Sequence, residues 1–564
     1  MAATPRHLQL SRWEQLKTER SSWLSHWQEL STYIQPRMGR FLVTDRNRGE
    51  RRHNNIYDST ATRAHRILGA GMLSGATSPA RPWLRMTTAD PDLAKHHSAR
   101  AWLDDVGKLI LEVFSRSNTY RAFQMMYEEL GLFGTGASLV MPSFATVQHH
   151  HPMTAGQYAL ATDWDGRVNT FYREFQMQVA PLVAEFGLEN CTLGTQGLYQ
   201  RGSLDQWITI YHAIEPRSDR DPSRRDALNM AYRSCYFEAG STPNKYLRES
   251  GMREFRVLAP RWHVTANDTY GASPAMEALG DVKQLQHEQL RKAQAIDYQT
   301  KPPIALPTSA KGQEVNMMPG GVSYYDTTGG VPGGARSLFD ARLDLNYLLQ
   351  DIQDVRGRIN SAFFADLFMM ISQLDTTGRT ATEIAERHEE KLLMLGPVLE
   401  RLHNEMLEPQ IALTFSDLLE AGALPPPPPE MDKQPIRVEF VSMLAQAQRA
   451  VGTAAVDRFV SNLGVVAQFK PDVLDKFNGD KWVDAYSDSL GVDPDLIVAD
   501  KEVALIRQQR AEAQQRAEQA AQMEQMAGAA NKLGNAPTQA GGSNALTDIM
   551  NMFSGYNSPS AESY

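Results

Sequence analysis

The residues best equipped for chemistry in this chain are few and poorly placed for it. His149, His150 and His151 run consecutively and offer three imidazoles, but a histidine run of this kind is usually incidental rather than a metal site. His388-Glu389-Glu390 sits in a helical pattern without the second histidine one turn on that an H-E-x-x-H zinc site requires, so it reads as a solvated face. Cys191 and Cys235 have no short-range partner, which excludes a zinc finger and a disulfide framework and fits synthesis in a reducing cytoplasm. The string Gly69-Ala70-Gly71-Met72-Leu73-Ser74-Gly75 has the wrong spacing for a dinucleotide loop, and its glycines fall inside a helical pattern. There is no G-x-x-x-x-G-K-[ST] loop to cradle a nucleotide, and no nucleophile, base and oxyanion donor can be assembled. The sequence therefore points away from an enzyme and calls for no cofactor and no metal.

The elements themselves say more. From Pro274 to Thr300, Leu279, Val282, Leu285, Leu290, Ala293 and Ile296 recur at helical spacing, a helix of about 40 Å. From Leu338 to Ile371, Leu345, Leu348, Ile352, Val355, Ile359 and Phe363 repeat the pattern over about 50 Å. Asp281, Lys283, Arg291, Asp351, Asp354 and Arg356 interrupt both, so neither is a membrane span. Between them, Lys301 to Arg336 holds five prolines and seven glycines, which excludes a helix, while Val322, Tyr324 and Tyr325 offer a short strand. After the second pattern, Gln373 to Arg379 is a polar turn. Thr380 and Glu383 then have capping-box spacing for a helix that Gly396-Pro397 should kink.

Around this centre, Trp13, Leu16, Trp23, Trp27, Leu30 and Ile34 form one stripe of an opening helix. Arg37 to Arg52 carries six arginines, an arm for a neighbouring subunit or DNA, or a solvated loop. Ser59 to Thr77 is a helix rich in small residues, and short alternating runs from 138 to 260 predict a β-rich subdomain. Pro425 to Pro429 reads as a stiff linker into a strand at Ile436 to Phe440. Glu502 to Met526 has few large apolar residues and should bundle with copies of itself, and 531–564 has the composition of a disordered tail.

Four blocks resemble, in their order and spacing, the portal (head-to-tail connector) proteins of short-tailed, podovirus-type bacteriophages. They are NNIYDSTATRAHRILGAGMLSGATSPARPWLRM (54–86), NTYRAFQMMYEELGLFGTGASLVM (118–141), YGASPAMEALGDVK (270–283) and RTATEIAERHEEKLLMLGPVLERL (379–402). The resemblance covers roughly residues 10 to 500 and implies an α+β, mainly α, portal fold. In that fold, 1–273 belongs to a wing, 274–300 and 337–371 are stem helices, 301–336 is a clip, and 372–379 is a tunnel loop. The kinked helix and return to the wing then occupy 380–440, and a crown or barrel 441–530. The resemblance further implies a ring, with twelve copies expected, at one capsid vertex of the virion, assembled in the host cytoplasm. Double-stranded viral DNA would pass Gln373, Asp375, Thr376, Thr377, Gly378 and Arg379 without sequence specificity. Leu345, Ile352, Val355 and Ile359 would be the stem subunit interface, and Val322, Tyr324 and Tyr325 the surface on which terminase and then tail adaptor or nozzle proteins dock. Major capsid and scaffolding proteins are the remaining expected partners.

Composition is compatible with this reading. With 564 residues, 42% of them hydrophobic, the chain is long enough for several cores. The net charge of −9 suits a channel that lets DNA slide, since acidic walls avoid the tight counterion-release binding of a basic groove. The same charge also serves ordinary solubility. The first residues lack an apolar signal core, and no segment suits a membrane. A DNA-processing enzyme of the packaging machinery, nuclease- or terminase-like, is the alternative. The missing phosphate loop and the paired long helices count against it.

Overall fold

The computed structural model describes residues 5–45, 55–90, 93, 96–224, 226–239, 246–300, 304–305, 336–337, 346–369, 394–431, 435–442, 444, 459–483, 498 and 500–534. The opening stripe divides between two helices, α1 (Pro5–Glu19) and α2 (Ser21–Tyr33), which meet at Arg20. Burial explains the division. Trp13 and Leu16 pack with Tyr172, Ala213 and Phe237 of a β-sheet, while Trp27, Leu30 and Ile34 enter the main core.

Helix α3 (Thr60–Ala76) uses its small residues for close approach. A Cβ on Gly71 would lie 2.2 Å from the Phe368 ring, a position that only glycine can occupy. After β1 (Leu84–Thr88), whose Leu84, Met86 and Thr88 point inward, come α4 (His97–Arg116) and α5 (Thr119–Phe133).

The stretch from 137 to 258 supplies two antiparallel sheets. Strands β2 (Ala137–Ser143), β3 (Val147–Met153), β4 (Tyr158–Thr162) and β5 (Val168–Gln178) lead to the short helices α6 (Val179–Phe186) and α7 (Leu193–Gln200). Then follow β6 (Trp207–Pro216), β7 (Tyr232–Glu238), β8 (Arg248–Met252) and β9 (Val257–Leu258). One sheet has the order β3-β2-β9 and the other β4-β5-β6-β7-β8.

Helix α8 (Pro274–Thr300) covers the residues whose spacing reads as helical. A two-residue ladder between β10 (Ile304–Ala305) and β11 (Arg336–Ser337) draws the ends of the insert together. The second long helix is less regular than its periodicity predicts. Helix α9 (Asn346–Ala362) stops at a turn where Phe364 has φ of 53°, and a short helical stretch resumes over 365–369. Tertiary packing holds this turn, because Phe363 meets His65 edge-on at 6.2 Å while Phe364 packs on Trp262 at 6.3 Å.

The helix described from 394 includes Gly396-Pro397 and has a π turn, His403–Leu407, that leads into α10 (Glu408–Glu420). Pro409 accounts for this, since its ring collides with the carbonyl one turn back and a widened turn relieves the clash. Beyond the prolines, β12 (Ile436–Phe440) pairs antiparallel with β1, Leu84 opposite Phe440, so the chain returns to the first core instead of starting a new one. A separate unit comprises Asp472–Tyr564 and contains α11 (Asp500–Gly534). The described fold is α+β and mainly α.

Candidate functional site

Among the described residues no group of three or more His, Cys, Asp or Glu side chains is placed to hold a metal ion. The histidine run lies on β3, where alternation sends His150 inward and leaves His149 and His151 outside with ring centroids 4.9 Å apart. Burial pushes the His150 imidazole down to about 3, so it is neutral and structural. Cys191 and Cys235 are both buried, and burial raises the Cys235 thiol to about 12, which removes it from thiolate chemistry. His388 lies outside the described residues.

The structure does bring three of the four sequence blocks together. His65 of the first block bonds through Nε2 to the Glu128 carbonyl of the second at 2.8 Å. Gly134 of the second meets Gly271 of the third so closely that a Cβ on Gly134 would lie 2.0 Å from the Gly271 carbonyl oxygen. Gly134 also has φ of 75°, so two independent constraints require glycine there. The Gly271 amide donates to Thr135 Oγ1 at 2.9 Å, and Ser273 Oγ donates to the Leu132 carbonyl at 2.8 Å. Tyr270 stands edge-on to Trp27 at 5.2 Å, and its hydroxyl accepts the Leu160 amide at 3.0 Å. These residues of the three blocks thus form the joint from which α8 leaves the body.

Helices α8 and α9 run antiparallel. Asp281 pairs with Arg358 at 3.2 Å, and Lys283 ties α8 to Glu29 of α2. The strongest anchor is Asp58, just ahead of α3. Its Oδ1 accepts from the Thr60 amide and hydroxyl at 2.9 and 2.6 Å, and its Oδ2 accepts from Arg356 Nη2 at 2.8 Å and Gln289 Nε2 at 3.0 Å. Gln286 closes the joint by accepting the Tyr57 and Asp58 amides and donating to the Asp58 carbonyl at 2.9 Å. These bonds outweigh the cost of burying the carboxyl and hold its pKa below the usual carboxylate value. A second anchor is Arg261, which is 5% exposed and bonds Glu405 at the π turn through Nη2 at 2.6 Å and the Gly166 carbonyl at 2.8 Å. Spacing did not single out Asp58, Gln286, Arg261 or Glu405, because each acts on a residue more than a hundred positions away. Asp58 directly before a helical pattern was the one local signal available.

Ile352 (1% exposed), Val355 and Ile359 are enclosed by the chain's own core, so the helical spacing marked a buried face without saying what buries it. They are not free to meet a neighbour. The apolar residues of the pair that stand exposed are Tyr347 (77%), Leu349 (40%) and Ile296 (42%) instead. Leu345, the turn residues Gln373, Asp375, Thr376, Thr377, Gly378 and Arg379, the cap Thr380 and Glu383, and Val322, Tyr324 and Tyr325 lie outside the described residues.

Among the described residues no helix is long and apolar enough to cross a membrane. The sequence profile of the family described as bacteriophage head to tail connecting protein matches residues 6–498. The chain is 60% identical over 553 residues, 98% of its length and 99% of the relative's, to the probable portal protein of Bordetella phage BPP-1. It is 44% identical over 552 residues, again 98% and 99%, to the portal protein of Salmonella phage epsilon15. Likeness to solved structures is distant: a chain from the neck of an empty gene transfer agent particle matches 78% of this chain and 95% of its own at a TM-score of 0.34 and 13% identity. The near full-length match to the family profile and to two portal proteins means that this chain belongs to the bacteriophage head-to-tail connecting proteins.

Proposed function

We propose that this chain is the portal subunit of a short-tailed phage. Copies of it, twelve expected, form a ring at one capsid vertex through which viral DNA is packaged and later leaves. One observation carries the ring. The α8–α9 pair is locked to its own body by Asp58, Gln286 and Arg356, yet leaves Tyr347, Leu349 and Ile296 exposed. A firmly anchored helix pair whose described residues leave large apolar side chains exposed is suited to cover by a second copy.

In this reading α8 and α9 are the stem, and the 301–336 insert is the clip on which terminase and then tail adaptor proteins dock. The 372–379 turn is the tunnel loop, and Gln373 to Arg379 meet DNA in the channel. The sheets between 137 and 258 belong to the wing that grips the capsid shell. The role is structural, not enzymatic, and is exercised in the virion after assembly in the host cytoplasm.

Native mass spectrometry of the purified chain, with negative-stain imaging of the same sample, tests the proposal. A closed ring near twelve copies with a central hole is the expected result. A monomer or dimer that persists across salt and protein concentration would overturn it and favour a DNA-processing role.

A further inference from the structure

Helices α8 and α9 face each other through more carboxyl groups than the guanidinium between them can balance. Asp281 of α8 pairs with Arg358 of α9 at 3.2 Å, and Asp354, one turn back on α9, takes the same guanidinium at 2.9 Å. Seven residues make about two helical turns. Two turns forward from Asp281 on α8 and two turns back from Arg358 on α9 therefore bring Glu288 opposite Asp351. There the two side chains are hydrogen-bonded to each other.

A bond between two carboxyl groups needs a hydrogen that neither carries when both are ionised. Glu288 is 8% exposed, its Oε1 accepts from Gln284 Nε2 at 2.6 Å, and its Oε2 is buried with no donor among the described residues. The hydrogen that joins Glu288 to Asp351 is what this oxygen lacks. Burial is the largest cause that lifts the Glu288 pKa above the ordinary carboxylate value; Asp351 adds to it, while Gln284 and Arg358 pull the other way. Two carboxyl groups at one place favour keeping one proton between them.

The other charged groups nearby are engaged elsewhere. Arg356 turns to Asp58, Lys283 to Glu29 of α2, and Arg291 stands at 3.4 Å from His287 on the exposed side of α8. Lys292, one turn farther along α8, forms no ion pair among the described residues. Asp351 is exposed, so the joining proton exchanges with solvent.

We propose that Glu288 and Asp351 share one proton across the α8–α9 contact, and that release of this proton as the pH rises opens a clasp between the two helices. The clasp belongs to the single subunit and stands whether or not the ring does. The sign follows from the raised Glu288 pKa. The stability lent by the clasp is complete below the ordinary carboxyl range and is lost as the pH rises through the folded value, when two carboxylates face each other.

Amide variants test this because each supplies the hydrogen at every pH. In Glu288→Gln the side-chain oxygen still accepts from Gln284 while the amide nitrogen donates to Asp351, and in Asp351→Asn the amide donates to Glu288. Urea titrations from about pH 4.5 to about pH 8 give the folding constant of the wild type and of each variant. The ratio of wild type to variant should fall as the pH rises, by up to about tenfold per unit while the proton leaves. Every histidine, His287 included, is common to all three proteins and cancels in the ratio. Hydrogen exchange at the α9 amides should quicken over the same range in the wild type relative to the variants, and that at the α5 amides should not. A ratio that stays level for both variants would mean that no proton is held. A ratio that falls for Glu288→Gln but stays level for Asp351→Asn would leave burial alone holding the proton on Glu288 and overturn the sharing. Unchanged α9 exchange beside a falling ratio would mean that the proton does not hold the helices together, and would overturn the clasp.

Discussion

Helices α8 and α11 are alike in length and opposite in what they cover. With 27 and 35 residues they span about 40 and 52 Å. In α8, Leu279, Val282 and Leu285 recur every three residues and are buried by the chain's own body. In α11 the large apolar residues are sparse and uncovered, with Leu505 57%, Met523 74% and Met526 70% exposed. Alanine, glutamine and charged residues fill most of the other positions, so its helicity rests on propensity, whereas α8 is also held by packing. The contrast separates two kinds of information in one sequence. A helix that buries aliphatic side chains inside its own chain reports the subunit fold, and one that buries almost nothing leaves a surface that, in the ring proposed above, other copies would cover.

The largest effect that would break this comparison comes from placing the same charge in each helix. Leu285→Asp puts an unpaired carboxylate into the core and should cost about 4 kcal/mol or more of subunit stability. Met523→Asp should change subunit stability by less than about 0.5 kcal/mol and act on ring formation alone. Urea titrations of both variants, with native mass spectra beside them, check the pair. Comparable destabilisation by the two would mean that α11 is packed within its own chain after all.

A second difference is electrostatic. The body holds His65, His150 and His212 in buried positions where burial lowers each pKa, His150 to about 3, whereas α11 contains no histidine. In the unfolded chain these groups take up protons near pH 6.5, and in the folded body they do so only well below that. The stability they contribute is therefore complete above about pH 6.5 and falls as the pH drops, by up to ~1.4 kcal/mol per pH unit for each histidine, down to its folded pKa. Urea titrations at pH 7, 6 and 5 should show the body weakening stepwise, and His150→Gln should flatten the slope by one proton. The helicity of α11, followed by hydrogen exchange, should stay level across that window through the same steps. A body whose stability does not change from pH 7 to pH 5 would mean the three imidazoles are not buried neutral groups.

What the sequence revealed follows the same division. The aliphatic spacing of α8 was legible because its packing is local and periodic. The stop of α9 at Ala362 was not, since Phe363 and Phe364 look like a continuation of the pattern, and only His65 and Trp262, remote in sequence, turn them aside. Ile352, Val355 and Ile359 were legible as buried but not as buried by whom, because periodicity marks an apolar face and not its cover. Proline was legible as a disturbance at Pro397, but the π turn just ahead of Pro409 was not singled out. The carboxyl joint at Asp58 was invisible because its partners Gln286, Gln289 and Arg356 lie more than two hundred residues away.

The smallest effect is also the sharpest, because it tests the open side of the helix pair without adding charge. Gly280 and Gly357 sit inside α8 and α9 at about the same level, next to the Asp281–Arg358 pair, and nothing lies within 4 Å of a Cβ placed on either. Glycine in a helix interior costs roughly 0.5–1 kcal/mol relative to alanine, and neither position shows a local reason to bear it. Gly280→Ala and Gly357→Ala should therefore each raise subunit stability by about that amount, seen as a higher urea midpoint. If a second copy lies against this face, the two added methyl groups intrude on it and the ring fraction should fall while the subunit becomes more stable. Opposite signs in the two measurements place the neighbour at the glycines. A rise in both would leave this face open to solvent and move the contact elsewhere on the subunit.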